Sequence, residues 1–219
     1  MPALYVIATP IGNLEDITHR ALRLLGDVDY VLAEDTRVTK KLLDHYRIKK
    51  MLIRWDEHSG EREWERIHRY LKEGKNLALV TDAGTPGISD PGGKLIAFVT
   101  NQLPDVPVVP LPGASALTAA ISVAGIPLHE FLFLGFLPHK KGRQTKLKLI
   151  TDSGWPIVLL ESVHRIKKLL LELAPSNKQV IVCRELTKKF ETVYRGTPQE
   201  VLDRLSPAEI KGEFVVIVY

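Results

Sequence analysis

Two short stretches set acids beside bases. AEDTR (33–37) holds Glu34, Asp35 and Arg37, and RELTKK (184–189) holds Arg184, Glu185 and Lys188. A carboxylate next to a cation can take a proton from a hydroxyl and stabilise the negative charge that develops on oxygen. The same residues also have ordinary uses. Asp35 can cap a helix that starts at Thr36, and Glu185 with Lys188 can be a surface pair three residues apart. Which of these groups would act as the base stays open. A third stretch, HKKGRQTKLK (139–148), carries Lys140, Lys141, Arg143, Lys146 and Lys148 with no acid among them. That composition suits contact with a phosphate backbone, although charge runs are commonly solvated faces.

Four turns follow apolar runs: TPIGN (9–13), AEDTR (33–37), DAGTPGISDPGG (82–93) and LPGASA (111–116). In open α/β sheets ligands sit beyond the carboxyl ends of the strands, so turns in this position are candidate binding elements. The third has four glycines, two prolines and two aspartates, enough for a close approach of backbone to ligand. None matches a G-x-x-x-x-G-K-[ST] or G-x-G-x-x-G signature, which disfavours an NTP-hydrolysing P-loop and a dinucleotide. The seven histidines are scattered, with no H-E-x-x-H or zinc-ligand spacing, so no metal is expected. No Ser stands in G-x-S-x-G. The single Cys183, in QVIVCRE, reads as a buried strand residue rather than a nucleophile. TPIGN in particular could let backbone approach a nucleoside whose centre carries no phosphate.

These turns need strands to carry them. In the first half, LYVIA, YVLAE, MLIRW, NLALVT and VPVVPL alternate with the helical patterns THRALRLL, TRVTKKLLDHY, EREWERIHRYL and DPGGKLIAFVTNQ. Strands apolar on consecutive positions and separated by helices predict a mostly parallel sheet covered on both faces. The proline-rich tract PDVPVVPLPG (104–113) marks a boundary. Beyond it come a small-residue helix, ASALTAAISVA, and the strands EFLFLGF, PIVLLES, QVIVCRE, ETVYRG and EFVVIVY. QVIVCRE and ETVYRG lie too close for a helical crossover, so they predict a hairpin and a mixed second sheet. Thr197-Pro198-Gln199-Glu200 is a helix start with capping box and proline at the first position. The reading is α/β, with lobes at 1–112 and 113–219. With 219 residues, 45% hydrophobic, mean hydropathy near zero and net charge +4, the chain can bury such cores. No apolar run approaches the roughly 20 residues that span a bilayer, and the N-terminus has no basic leader. A cytoplasmic protein with no membrane partner is therefore expected.

TPIGNLEDIT, AEDTR, VTDAGTPGISDPG, VPLPGASA, EFLFLGFLP, LESVHR, CRELTKKFE and GEFVVIV, in this order, closely resemble the tetrapyrrole methylase superfamily of S-adenosylmethionine (SAM) methyltransferases. Within it, the chain is most similar to the branch that methylates a cytidine 2′-oxygen in 16S rRNA of the small ribosomal subunit. The resemblance covers nearly the whole chain. It implies two α/β lobes with SAM folded into the cleft between them, commonly in a homodimer. It also implies cofactor contacts at Pro10, Ile11 and Gly12, at Gly84, Thr85, Pro86 and Ile88, at Ser115 and Ala116, and at Glu161, Ser162 and Leu186. The catalytic candidates stay Glu34, Asp35, Arg37, Arg184, Glu185 and Lys188, and the RNA contacts Lys140, Lys141, Arg143 and Lys146. Two departures are visible. The small C-terminal segment usual in the branch is absent, and a segment usually read H-x-H-N-E is Trp55-Asp56-Glu57-His58-Ser59 here, which weakens His58 as a catalytic group. Two alternatives remain: a methylase of corrinoid precursors from the same superfamily, and a module that holds SAM or RNA without turnover.

Overall fold

Runs of four apolar residues flanked by polar turns become short buried strands, and the amphipathic stretches between them become helices. The computed structural model describes residues 1–82, 84–206 and 211–219. The chain divides into two compact units, Met1–Ser115 and Ala116–Tyr219.

The first unit runs β1 (Leu4–Ile7), α1 (His19–Asp27), β2 (Tyr30–Ala33), α2 (Thr36–His45), β3 (Met51–Arg54), α3 (Glu61–Lys72), β4 (Leu77–Val80), α4 (Gly92–Gln102) and β5 (Val108–Leu111). The strand order is β3-β2-β4-β1-β5 and every pair is parallel. Pro110 is tolerated because β5 is an edge strand. Strand side chains alternate between two cores. Leu4, Leu32, Leu77 and Leu79 pack with Ile67, Leu71, Leu95 and Val99 of α3 and α4. Ile7, Val31, Ala78 and Val80 pack with Leu24, Leu25 and Leu43 of α1 and α2. So α1 and α2 cover one face, and α3 and α4 the other. The chain leaves β2 through α2 toward β3, and leaves the neighbouring β4 through α4 toward β5, on the opposite side. The connections diverge between β2 and β4, the kind of switch point where open α/β sheets open a crevice.

The second unit runs α5 (Ala116–Ser122), β6 (Leu132–Phe136), α6 (Arg143–Asp152), β7 (Ile157–Ser162), α7 (Ile166–Leu173), β8 (Val180–Arg184), β9 (Thr192–Gly196), α8 (Pro198–Arg204) and β10 (Glu213–Val218). Its sheet, β6-β7-β10-β8-β9, is mixed: β6 and β7 are parallel, while β10 is antiparallel to β7 and β8, and β9 to β8. The expected hairpin and capping box are both present, with the Thr197 hydroxyl accepting from Glu200 N. Because β6, β7 and β8 run the same way, the loops that follow them emerge at one end of this sheet. Among the described residues no helix is long and apolar enough to cross a membrane.

Candidate functional site

In the first unit the turns after β1, β4 and β5 are tied into one junction. The Thr9 amide donates to the Gly84 carbonyl at 3.0 Å, and the Thr9 hydroxyl to the Thr81 carbonyl at 2.7 Å. The Thr85 hydroxyl donates to the Ala114 carbonyl at 3.0 Å. Gly84 sits at φ +94°, and a Cβ there would lie 2.7 Å from Ile11 Cγ2 and 2.8 Å from the Ala114 oxygen. Only glycine allows that approach. Farther along, the Asp90 carboxylate accepts from the Gly87 and Gly92 amides, at 2.9 and 2.7 Å, and so folds the turn that starts α4. These bonds bring Pro10, Ile11 and Gly12 beside Gly84 and Thr85, with Pro86 and Ile88 next in the same turn. Ser115 follows Ala114 directly, and Ala116 opens α5. Ala83 lies outside the described residues.

A cavity of about 710 Å³ opens at the β2/β4 switch point, lined by Glu34, Asp35, Thr36, Arg37, Arg54, Asp56, Glu57, His58 and Asp82. Several of its charges are already matched. Asp35 is the N-cap of α2, accepting from the Arg37 amide at 2.8 Å and from its guanidinium at 2.7 Å. That guanidinium holds the carboxyl well below the usual carboxylate range. Asp56 pairs with Arg54 at 2.5 Å. Burial would raise its carboxyl, but the His58 amide, Arg54 and Ser59 together hold it below its usual value.

Asp82 differs. Desolvation by the surrounding protein, then the Glu34 charge, raise its carboxyl above the ordinary 3.8, although the side chain stands exposed at the cavity mouth, where water screens part of the effect. Glu34 accepts from the Thr81 hydroxyl at 3.0 Å. Thus AEDTR splits: Asp35 and Arg37 neutralise each other, and Glu34 faces Asp82. The sequence reading missed Asp82. Its signal was an acid two residues past the end of β4, the position flanking a switch point.

In the second unit several of the expected groups are already committed to protein partners. Arg184 is 6% exposed, and its guanidinium donates to the carbonyls of Lys211 (3.1 Å) and Phe190 (3.0 Å). It anchors a loop, with its guanidinium committed to backbone carbonyls. Lys188 bridges Glu185 at 2.9 Å and Glu213 at 3.0 Å. Burial acts against both charges, but this mutual pairing prevails, lowering the Glu185 carboxyl and raising the Lys188 ammonium. Leu186 is buried between them in sequence, on a loop with Glu185 and Thr187 both in the left-handed region, at φ 51° and 66°.

Arg143, expected on RNA, is 3% exposed and pairs with Glu172 at 2.6 Å while donating to the Pro138 carbonyl. In this arrangement the guanidinium is committed to Glu172 and is not presented to a phosphate. Arg143 also starts α6, so the basic stretch is half loop and half helix, with Lys140, Lys141 and Lys146 exposed. Glu161 is 2% exposed and pairs with Arg165 at 3.2 Å, and its Oε1 accepts from the Ser162 amide. Burial pushes its carboxyl up despite these partners. Cys183 is fully buried and its thiol is pushed up to about 11, which leaves it inert. Among the described residues no group of three His, Cys, Asp or Glu is placed to hold a metal ion.

The family model of tetrapyrrole (corrin/porphyrin) methylases matches residues 3–202. The chain belongs to the tetrapyrrole methylase family. This methylase is 44% identical over 218 residues to a ribosomal RNA small subunit methyltransferase I of Halalkalibacterium halodurans, covering 98% of this chain and 75% of that one. It is 41% identical to the enzyme of the same name from Thermotoga maritima, covering all of this chain and 98% of that one. Among solved structures, a cobalt precorrin-4 methyltransferase superposes with TM-score 0.71 at 21% identity, over 99% of this methylase and 94% of that chain. A Thermus thermophilus uroporphyrin-III C-methyl transferase complexed with S-adenyl homocysteine gives 0.65 at 18% identity, over 98% and 96%. At such identities the structural likeness is one of fold. The tetrapyrrole methylase fold therefore underlies both units, and the chemistry named by the family is methyl transfer.

Proposed function

We propose that the chain is a SAM-dependent methyltransferase acting on the ribose 2′-hydroxyl of a cytidine in 16S rRNA. The observation that carries this reading is the 41–44% identity, over the full chain, to relatives named for the small-subunit rRNA. A corrinoid substrate is less well supported, because the precorrin enzyme shares only 21% of its residues. The same proposal makes the substrate 16S rRNA in the small ribosomal subunit, and the enzyme a cytoplasmic homodimer.

The residues fit the cofactor. The junction at Gly84 is a cradle that a single Cβ would fill, and it leaves backbone rather than side chains to meet a ligand. In the second unit, Glu161 Oε2 and Thr187 Oγ1 are buried without a hydrogen-bond partner among the described residues, and buried polar atoms in that state await one. Pro10, Ile11, Gly12, Gly84, Thr85, Pro86, Ile88 and Ser115 in the first unit, and Ala116, Glu161, Ser162 and Leu186 in the second, are the residues proposed to hold it. SAM, when bound, supplies a methyl group already activated on a sulfonium.

The chain must then orient the acceptor oxygen and take its proton. Asp82 is the proposed base: its raised carboxyl makes its conjugate base a stronger proton acceptor than an ordinary carboxylate. Glu34 supports it by charge, and the Asp35–Arg37 pair fixes the wall of the cavity. Transfer of labelled methyl from SAM to 30S subunits tests the reading, with mass spectrometry to locate the product. A methyl group on a base carbon or nitrogen, or no transfer at all, would refute it.

A further inference from the structure

Large apolar side chains scattered singly over a surface need no explanation, but two exposed rings in the second unit share a location and a setting. Phe136, 52% exposed, ends β6, and Phe190, 62% exposed, lies in the loop between β8 and β9. Both therefore stand at the end of the sheet where β6, β7 and β8 finish. From β6 to β8 is three interstrand spacings, about 14 Å.

Each ring is carried on a backbone that cannot easily turn it inward. Phe136 is in register with Leu160 of β7, between Gly135 at φ 59° and the buried Leu137, whose carbonyl accepts from Arg165. The Phe190 carbonyl is held by the Arg184 guanidinium at 3.0 Å and the Thr192 hydroxyl at 3.2 Å. The left-handed Glu185 and Thr187 earlier in that loop are conformations retained only where surroundings enforce them. Cations accompany both rings. Lys140 and Lys141 follow Phe136 closely in the chain, and the Lys189 ammonium lies 5.6 Å from the Phe190 centroid. Among the described residues none of these three lysines is in an ion pair, so their charge is available to an anion.

We propose that this end of the second sheet is a platform for single-stranded RNA, on which unpaired bases stack against Phe136 and Phe190 while Lys140, Lys141 and Lys189 meet the intervening phosphates. Rigid exposed rings interleaved with cations are how single strands are held without sequence readout. The proposal rests on the reading of the chain as an RNA methyltransferase and names the state of RNA it grips: unpaired rather than duplex.

The test is fluorescence anisotropy with a labelled single-stranded oligonucleotide of 16S sequence and its duplex, using the full chain and Phe136→Ala, Phe190→Ala and both aromatic→Trp variants. Each alanine change should weaken single-strand binding by about 5- to 100-fold, the range for one base–aromatic stack. The salt dependence and the duplex affinity should hardly change, and tryptophan should restore binding. Unaltered single-strand affinity, an equal loss for duplex, or no RNA binding by the parent would overturn the proposal. So would loss of binding that tracks dissociation of a dimer in sedimentation velocity, which would assign the rings to a second copy of the chain. Methyl transfer from labelled SAM is measured on the same samples: a parent that grips single strands but transfers nothing refutes the enzymatic reading and leaves the platform standing.

Discussion

The two units place charged motifs at the ends of similar strands and use them in opposite ways. In the first, the turns are tied together by backbone amides and the hydroxyls of Thr9 and Thr85, which leaves Glu34 and Asp82 on the wall of a cavity. In the second, the loops are tied by charged side chains: Arg143 to Glu172, Arg165 to Glu161, Arg184 to two carbonyls, and Lys188 to two acids. Burial makes the difference. The Arg37 side chain is 87% exposed, whereas that of Arg143 is 4% exposed, and a guanidinium out of water must be fully partnered. Where neutral groups close the loops, ionisable ones are free for chemistry.

The contrast is most sharply tested at Asp82. The Asp82 carboxylate accepts from the Asp35 amide, and Asp82→Asn keeps an oxygen that can do so but cannot take a proton. It should lower kcat for methyl transfer by about 10²- to 10⁴-fold, the usual contribution of a general base. Stability should move the other way. A carboxyl whose folded pKa is raised contributes stability fully present below its unfolded value, near 3.8, and lost as pH rises through the folded value. The amide variant should therefore match the parent in acid and melt no lower, or slightly higher, at neutral pH. Thermal melts across this range, beside the kinetic assay, check both halves. A variant that loses stability at neutral pH along with activity would make Asp82 a structural residue like those of the second unit.

The converse prediction concerns Arg143. Arg143→Ala leaves Glu172, whose side chain is 18% exposed, with only the longer 3.9 Å contact to Lys168. It should cost about 3 kcal/mol, the lower end for breaking a buried pair, read as earlier melting in denaturant. Methyl transfer measured well below the transition should persist. If activity vanishes with the fold intact, the division of labour between the units is wrong.

These contrasts also mark what could be read from sequence. The parallel and mixed sheets were legible because consecutive apolar positions in LALV or VIVC and the short link between β8 and β9 constrain pairing locally. The turns after β1, β4 and β5 were legible through glycine spacing and their position after apolar runs. Asp82 was not, because its distinction comes from desolvation and then from Glu34, which a long stretch of chain separates from it in sequence. Nor could Arg143 and Lys141, two residues apart, be told apart: only the packing of α6 against α7 buries one of them. Charge is written in the sequence, whereas desolvation is a property of the assembled unit.

At the junction itself, Gly84→Ala introduces a Cβ against Ile11 and the Ala114 carbonyl at a left-handed φ. The expected cost is about 1–3 kcal/mol of strain in the first unit, with SAM affinity reduced because the cradle is deformed. Gly87→Ala is the control, since its Cβ would meet nothing within 4 Å while its φ of +91° is similarly positive. Calorimetry should separate them, with the cofactor lost at position 84 and weakened far less at 87. Equal behaviour would mean that backbone strain alone, and not space for the ligand, decides binding here.

The smallest expected effect belongs to the exposed lysines of the second unit. With Arg143 committed to Glu172, only the outer cations of the 139–148 stretch can meet phosphate. Each such contact releases counterions and contributes about 0.9 to the slope of log affinity against log salt on duplex DNA, or about 0.7 on single strands. Replacing Lys140 and Lys141 together by Ala should flatten the slope for RNA by roughly 1.4 if the contacted strand is unpaired, and by roughly 1.8 if it is duplex. SAM affinity should be unchanged, since neither lysine is among the proposed cofactor contacts. Adding Arg143→Ala to the pair should not flatten the slope further, although it should lower stability. A third decrement of similar size would show that Arg143 leaves Glu172 when RNA arrives, making its ion pair a displaceable latch. An unchanged slope in the double variant would mean that these lysines only solvate the loop.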